Sequence, residues 1–209
     1  MKIKIKEHFG FYGILTNPKV GYENLAEVMV DAGIKIIQLR MKDTPEPKVL
    51  EVALKLRKLI PADVAFIIND SPRIAVESGA DGVHLGQRDM SLTDAIKIVG
   101  PDAITGLSSH NVRQAVDACK QQPDYIGVGP VFATPTKKNP DPVIGLGGMA
   151  DMLKAATVPA VCLGGIDHDN VTAVLQAGAR NICAVRCINA SDNPKRELLK
   201  MNETIRRFV

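Results

Sequence analysis

Tryptophan is missing from the 209-residue chain, which has only three tyrosines and five phenylalanines. With so few rings to stack on bases, and with lysines and arginines scattered rather than clustered, no nucleic-acid partner is predicted, although the net charge of +3 and pI near 8.6 are mildly basic. Long apolar runs are also missing. Nothing approaches the roughly 18 consecutive apolar residues of a membrane span, and the Lys/Ile alternation of residues 1–9 has no apolar h-region, so neither insertion nor export is predicted. No Pro/Gly/Ser-rich linker, low-complexity tract or composition shift divides the chain, which predicts one domain over residues 1–209. Cysteine is scarce and lacks C-x-x-C spacing. Cys119, Cys162, Cys183 and Cys187 lie in apolar stretches and read as small buried hydrophobes, in keeping with a reducing cytoplasm.

What is present is a regular alternation. The chain is 45% apolar and 23% charged, enough for a full core. Short β-rich runs at 11–16, 34–40, 64–70, 82–85, 103–108, 125–131, 160–163 and 181–186 are each followed by a segment of helical period. Val49, Val52, Leu56 and Leu59 form one such stripe, and Val112, Ala115, Val116 and Cys119 another. Thr44-Pro45 predicts the start of the second helix, and Asp167 an N-cap for a seventh helix that carries Val171, Val174 and Leu175 and closes at Gly178. Eight β/α units at about 25-residue spacing imply a parallel sheet with helical crossovers, and the number favours closure into an α/β (β/α)8 TIM barrel over a doubly wound sheet.

In such a barrel the active site gathers where the strands end. Gln38, Arg40 and Lys42 share parity with Ile34 and Ile36, so an extended backbone through residue 42 would project all three from one face. Asn69-Asp70 closes the third run and Gln87-Arg88-Asp89 follows the fourth. One Asp after a strand is commonly a turn residue or helix cap, and Asp70-Ser71-Pro72 fits that reading. Two carboxylates after neighbouring strands suit Mg²⁺, which takes one or two carboxylates together with substrate phosphates. The loop after the sixth run, residues 132–138, is rich in hydroxyls and cations, and Gly164-Gly165 and Arg186 end the last two runs, where barrels commonly seat a phosphate. Of the histidines, His8 is expected to be solvated and His168 to lie in the first turn of helix seven. His84 and His110 are expected near the mouth, as hydrogen-bonded structural groups or as substrate contacts.

The runs Ile37-Gln38-Leu39-Arg40-Met41-Lys42-Asp43, Ile68-Asn69-Asp70, Gly79-Ala80-Asp81-Gly82-Val83-His84-Leu85-Gly86-Gln87-Arg88-Asp89 and Tyr125-Ile126-Gly127-Val128-Gly129-Pro130-Val131-Phe132-Ala133-Thr134-Pro135-Thr136-Lys137-Lys138 resemble those of the thiamine phosphate synthase family, and the likeness extends over residues 12–188. The resemblance implies a barrel that joins a hydroxymethylpyrimidine diphosphate to a thiazole phosphate, releasing pyrophosphate and thiamine phosphate. It implies that Gln38, Leu39, Arg40, Met41, Lys42, Asn69, Ser108 and Lys137 hold the pyrimidine diphosphate, with Arg40, Lys42 and Lys137 offsetting charge on the leaving group. It assigns Asp70 and Asp89 to Mg²⁺, and Thr134, Pro135, Thr136, Gly165, Val185 and Arg186 to the thiazole phosphate. Two positions depart from the family pattern: Arg186 stands where a small Ser is frequent, and Gly147 where an acidic residue is common. Two other functions are the alternatives. A thiazole tautomerase would use His110 as its acid/base and has no need of Asp70, Asp89 and Lys42 together. A phosphate-binding barrel could serve as a sensor or scaffold without turnover.

Overall fold

The computed structural model describes residues 5–134 and 141–208. Eight parallel strands follow one another around a single sheet: β1 (Gly13–Leu15), β2 (Ile36–Leu39), β3 (Ala65–Asn69), β4 (Gly82–Leu85), β5 (Ile104–Ser109), β6 (Tyr125–Val128), β7 (Ala160–Leu163) and β8 (Asn181–Cys183). Closure is made just ahead of β1, where Tyr12 N–H donates to Ile182 O and Ile182 N–H to Gly10 O, both at 2.8 Å. Helices α1 (Tyr22–Asp31), α2 (Glu46–Leu59), α3 (Pro72–Ser78), α4 (Leu92–Val99), α5 (Val112–Lys120), α6 (Gly145–Ala155) and α7 (Val171–Gln176) connect the strands, and α8 (Val185–Asn189) and α9 (Pro194–Arg206) follow β8. The arrangement is the expected (β/α)8 barrel. No described helix is long and apolar enough to cross a membrane.

Strand alternation sorts the core into two layers. Ile37 and Leu39 of β2 and Phe66 and Ile68 of β3 face the helices, while Ile14, Ile36, Ala65, Ile67, Ile104, Val161 and Cys183 fill the interior with Tyr12 and Tyr125. Ile34, expected to share the inner face with Ile36, precedes the strand and packs in the outer layer. Ile5 and Phe9 pack against the interior layer. Cys119, Cys162 and Cys183 are buried and Cys187 half-buried, all as free thiols.

Several element ends differ from expectation. The sixth run stops at Val128 because Pro130, joined to Gly129 by a cis bond, has no N–H to give to a ladder. The eighth stops at Cys183, since Val185 already begins α8 and places Arg186 on that helix rather than on a strand. Pro45 itself occupies the N-cap of α2, with Pro47 in the first turn, and Thr44 instead donates its hydroxyl to Lys42 O at 3.2 Å. Before α7, Asp167 opens a turn by accepting from Asp169 N–H at 3.0 Å, and the N-cap is Asn170, so His168 precedes the helix. Gly178, at φ +108°, does follow the helix end as expected.

Candidate active site

At the C-terminal mouth, one cavity is lined by Gln38, Arg40, Lys42, Asn69, Asp70, His84, Asp89 and Ser108. Gln38, Arg40 and Lys42 therefore do reach one space, as their shared parity predicts. Leu39 is buried among the outer apolar residues and the half-buried Met41 packs against them, and neither lines the cavity.

Asp70 is released for this cavity by its neighbours. Ser71, not Asp70, caps α3, accepting from Ile74 N–H at 3.3 Å. Asp70 N–H donates to His84 O at 2.8 Å, and its backbone sits at φ +65°, a left-handed conformation that a non-glycine residue adopts at a cost. Its carboxylate pairs with Lys42 Nζ. Desolvation, and then the adjacent Asp89 carboxyl, push the Asp70 carboxyl up to about 6, against the pull of Lys42. Desolvation would raise Asp89, but its hydrogen bonds with the Asp70 carboxyl and Gly86 N–H, together with Lys42 and His84 nearby, hold it below the usual carboxylate range. The two carboxyls titrate as a pair in which Asp70 keeps its proton to the higher pH. Asp89 Oδ2 accepts from Gly86 N–H at 2.7 Å, and a Cβ at Gly86 would lie 2.9 Å from that oxygen, so the glycine leaves room for the carboxylate. Arg40 is pulled below the usual guanidinium value by burial, while Asp70 and Asp43 act in the opposite sense.

A second cavity opens beside the first and shares Ile14, Arg40, Ser108, Gly127 and Leu163 with it. Its far side is formed by Thr134, Gly164, Gly165, Asp167, Val185 and Arg186. Here the segment after β6 stays laced to the end of β7: Val131 N–H donates to Leu163 O and Phe132 N–H to Gly164 O, both at 2.9 Å. The approach requires glycine. A Cβ on Gly165, at φ +65°, would lie 2.6 Å from Ala133 O, and one on Gly164, at φ +98°, 2.5 Å from Pro130 Cα. Val185 and Arg186 are the first two residues of α8, so their N–H groups have no carbonyl within the helix. Among the described residues no ion pair joins Arg186 to Asp167, and the Arg186 side chain is exposed. His110 lines this cavity with Nδ1 2.5 Å from Gly129 O and Nε2 3.3 Å from Asp141 Oδ2. Pro135, Thr136 and Lys137 lie outside the described residues.

The sequence reading missed Tyr12 and Tyr125. They sit inside the barrel directly beneath the first cavity, linked to each other, to Gln38 and to His84. A signal was available in Gly106, in the middle of β5, because glycine inside a strand marks a close approach. A Cβ there would meet Tyr125 Cζ at 2.3 Å and His84 Nδ1 at 2.5 Å.

A sequence model described as thiamine monophosphate synthase matches residues 14–188. The thiamine-phosphate synthase of Gloeobacter violaceus is 38% identical over 195 residues, which are 93% of this chain and 57% of that longer protein. That of Caldicellulosiruptor bescii is 35% identical over 212 residues, 99% of this chain and 96% of its own. In three dimensions the chain is similar to the thiamine phosphate pyrophosphorylase of Pyrococcus furiosus, with a TM-score of 0.86 and 28% identity over 96% of this chain and 97% of the other.

Proposed function

We propose, from the premise that this chain belongs to the thiamine monophosphate synthase family, that it is a transferase condensing 4-amino-2-methyl-5-hydroxymethylpyrimidine diphosphate with 4-methyl-5-(2-phosphoethyl)thiazole, or its carboxylated form, in thiamine biosynthesis. The products are thiamine phosphate and pyrophosphate, together with carbon dioxide when the carboxylated form is used. The bond from the pyrimidine methylene carbon to the diphosphate oxygen breaks and its electron pair leaves with pyrophosphate. The thiazole nitrogen then supplies the pair for the new C–N bond. The observation that carries this reading is the meeting of two cations, two carboxyls and the neutral hydrogen-bonding side chains Gln38, Asn69 and Ser108 in one cavity that shares a wall with a glycine-lined second cavity.

Arg40 and Lys42 offset the negative charge that gathers on the departing diphosphate, and Lys137 is assigned the same task through the family resemblance. Asn69, Gln38 and Ser108 orient the pyrimidine. Backbone N–H groups of Gly165, Val185 and Arg186, with the hydroxyls of Thr134 and Thr136 on either side of Pro135, receive the thiazole phosphate. No general base is required, because the attacking nitrogen carries no proton. The larger contribution is holding two substrates in line across the shared wall.

Asp70 and Asp89 would hold Mg²⁺. The donor set fits: two carboxyls close enough to share a proton on neighbouring strand ends match a hard divalent cation that takes its remaining ligands from phosphate and water. When bound, the ion supplies electrostatic stabilisation of pyrophosphate as a leaving group. Free thiols throughout the described chain support a reducing, cytoplasmic setting.

Purified protein given both substrates tests the function. Thiamine phosphate and pyrophosphate formed in equal amounts, and lost in excess chelator, are expected. Binding of either phosphate without turnover would leave a sensor, and isomerisation of the thiazole alone would leave a tautomerase acting through His110.

A further inference from the structure

A chain of hydrogen bonds runs through the barrel interior beneath the first cavity and returns to it. Gln38 Nε2 lies 2.8 Å from the Tyr12 hydroxyl, which lies 2.6 Å from the Tyr125 hydroxyl. Tyr125 OH lies 3.2 Å from His84 Nδ1, and His84 Nε2 lies 2.9 Å from Ser108 Oγ. Gln38 and Ser108, the two ends of this chain, line the cavity, and Tyr12, His84 and Tyr125 border its floor. The two phenols are withdrawn from solvent all the same, at 2% exposed for Tyr12 and 1% for Tyr125.

The sense of the chain follows from counting protons. Burial pushes both phenols far above their usual value, so each keeps its single proton. Gln38 Nε2 donates to Tyr12, so its amide nitrogen, not its oxygen, faces the phenols. Tyr12 then spends its proton on Tyr125, and Tyr125 spends its own on His84 Nδ1. A neutral His84 accepting at Nδ1 carries its proton on Nε2 and donates it to Ser108 Oγ. Two groups are left to face the ligand with a fixed character. Gln38 Oε1 takes no hydrogen bond from the described residues and, on a side chain that lines the cavity, can only accept. The Ser108 hydroxyl, already an acceptor from His84, is left to donate.

We propose that Tyr12, Tyr125 and His84 are a one-directional relay that determines specificity, fixing Gln38 as acceptor and Ser108 as donor so that the site selects a 4-aminopyrimidine over its 4-oxo counterpart. This rests on the function proposed above. An exocyclic amine donates to Gln38 Oε1, and an unprotonated ring nitrogen accepts from Ser108. A 4-oxo ring offers the opposite at both points, a carbonyl and a ring N–H, and can be accommodated only if every bond in the relay reverses and His84 changes tautomer. The three residues are positioning residues, because none needs to touch the ligand. Gly106 belongs to the same device, since any side chain there would occupy the meeting point of Tyr125 and His84.

Two measurements test this. In ligand-free protein labelled with ¹⁵N in its histidine rings, NMR is expected to find His84 neutral with the proton on Nε2. A proton on Nδ1 would overturn the relay whatever the protein binds. In calorimetric titrations with Mg²⁺, the intact protein is expected to bind the 4-amino diphosphate about a hundredfold more tightly than the 4-oxo analogue, the scale of two mismatched hydrogen bonds. Tyr125→Phe, which cuts the relay, is expected to lower that ratio about tenfold while leaving affinity for inorganic pyrophosphate unchanged. An unchanged ratio in the folded variant would overturn the proposal, as would equal loss of pyrophosphate, which marks general loosening. Should Tyr125→Phe not fold, Tyr12→Phe carries the same expectation because it frees Gln38 to turn over. If the intact protein binds neither pyrimidine, the proposed function falls and the specificity with it. That failure is distinguishable, because the His84 tautomer is read without ligand.

Discussion

Asp70 bears three burdens at once: a left-handed backbone, partial desolvation and a carboxyl neighbour. None of them serves the core, which is apolar on both faces of β3. Asp70→Asn keeps a residue type that tolerates the left-handed region and removes the conflict with Asp89, although it leaves Lys42 with a neutral partner. Turnover is therefore expected to fall at least about a hundredfold, the scale seen on removing one preorganised electrostatic group. The melting temperature should stay within roughly 2 °C of the parent, the scale of a surface-like change in a chain of this size. A variant that loses activity and stability together would make Asp70 structural. The proton on Asp70 also competes with a cation. Because that carboxyl titrates at about 6, Mg²⁺ affinity should be flat above that pH and weaken as pH falls through it, approaching tenfold per unit. A flat profile in titrations between about pH 5 and 8 would place the proton elsewhere. For Arg186 the expectation is narrower. With no ion pair to Asp167 among the described residues, its guanidinium at the rim of the second cavity is available to phosphate. Arg186→Ser should weaken thiazole phosphate binding by about 1.5–3 kcal/mol and leave the pyrimidine diphosphate almost unchanged. Equal affinity for the thiazole phosphate would show that backbone donors suffice.

Elements that begin and end on backbone-forbidding residues were legible, and elements that end for tertiary reasons were not. β4 and β7 match their expected bounds because a turn follows one and a Gly-Gly pair the other. β8 was overextended because Ala184-Val185-Arg186 is as compatible with a strand as with a first helical turn, and only the docking of α8 decides between them. Parity along β2 correctly put Gln38, Arg40 and Lys42 on one space, since alternation is a local property. The Tyr12–Tyr125 contact joins residues 113 apart, a pairing that no local period reports. Between these cases lies Gly165, whose place after the seventh run was readable but whose reason was not. It packs against the carbonyl of Ala133 on another loop. Gly165→Ala should destabilise the fold by about 2–4 kcal/mol through the clash and the left-handed φ together, and should weaken thiazole phosphate binding more than pyrimidine diphosphate binding. Chemical denaturation and paired titrations read the two effects separately, and a variant as stable as its parent would mean that the two loops part more easily than their hydrogen bonds suggest.

The barrel as a whole divides its mouth into two unequal halves, and that division is testable without turnover. The carboxyls Asp70 and Asp89 line only the first cavity, while the glycine-walled half is reached through Ser108 and Arg40 on the shared wall. Metal dependence should therefore be confined to one substrate. A ligand that binds only the folded state stabilises it by RT ln(1 + [L]/Kd), about 2.7 kcal/mol at a hundredfold excess over Kd. For a domain of this length that corresponds to a rise in melting temperature of roughly 5–11 °C. The pyrimidine diphosphate is expected to give such a rise with Mg²⁺ and a much smaller one in chelator, because without the cation two carboxyls face its phosphates. The thiazole phosphate is expected to give the same rise in both conditions, since its donors are backbone N–H groups, hydroxyls and the Arg186 guanidinium, none of which needs the cation. Asp89→Ala should abolish the difference for the first ligand and leave the second untouched. If both ligands lost their effect in chelator, the cation would bridge the two halves, and the shared wall would have to be redrawn around it.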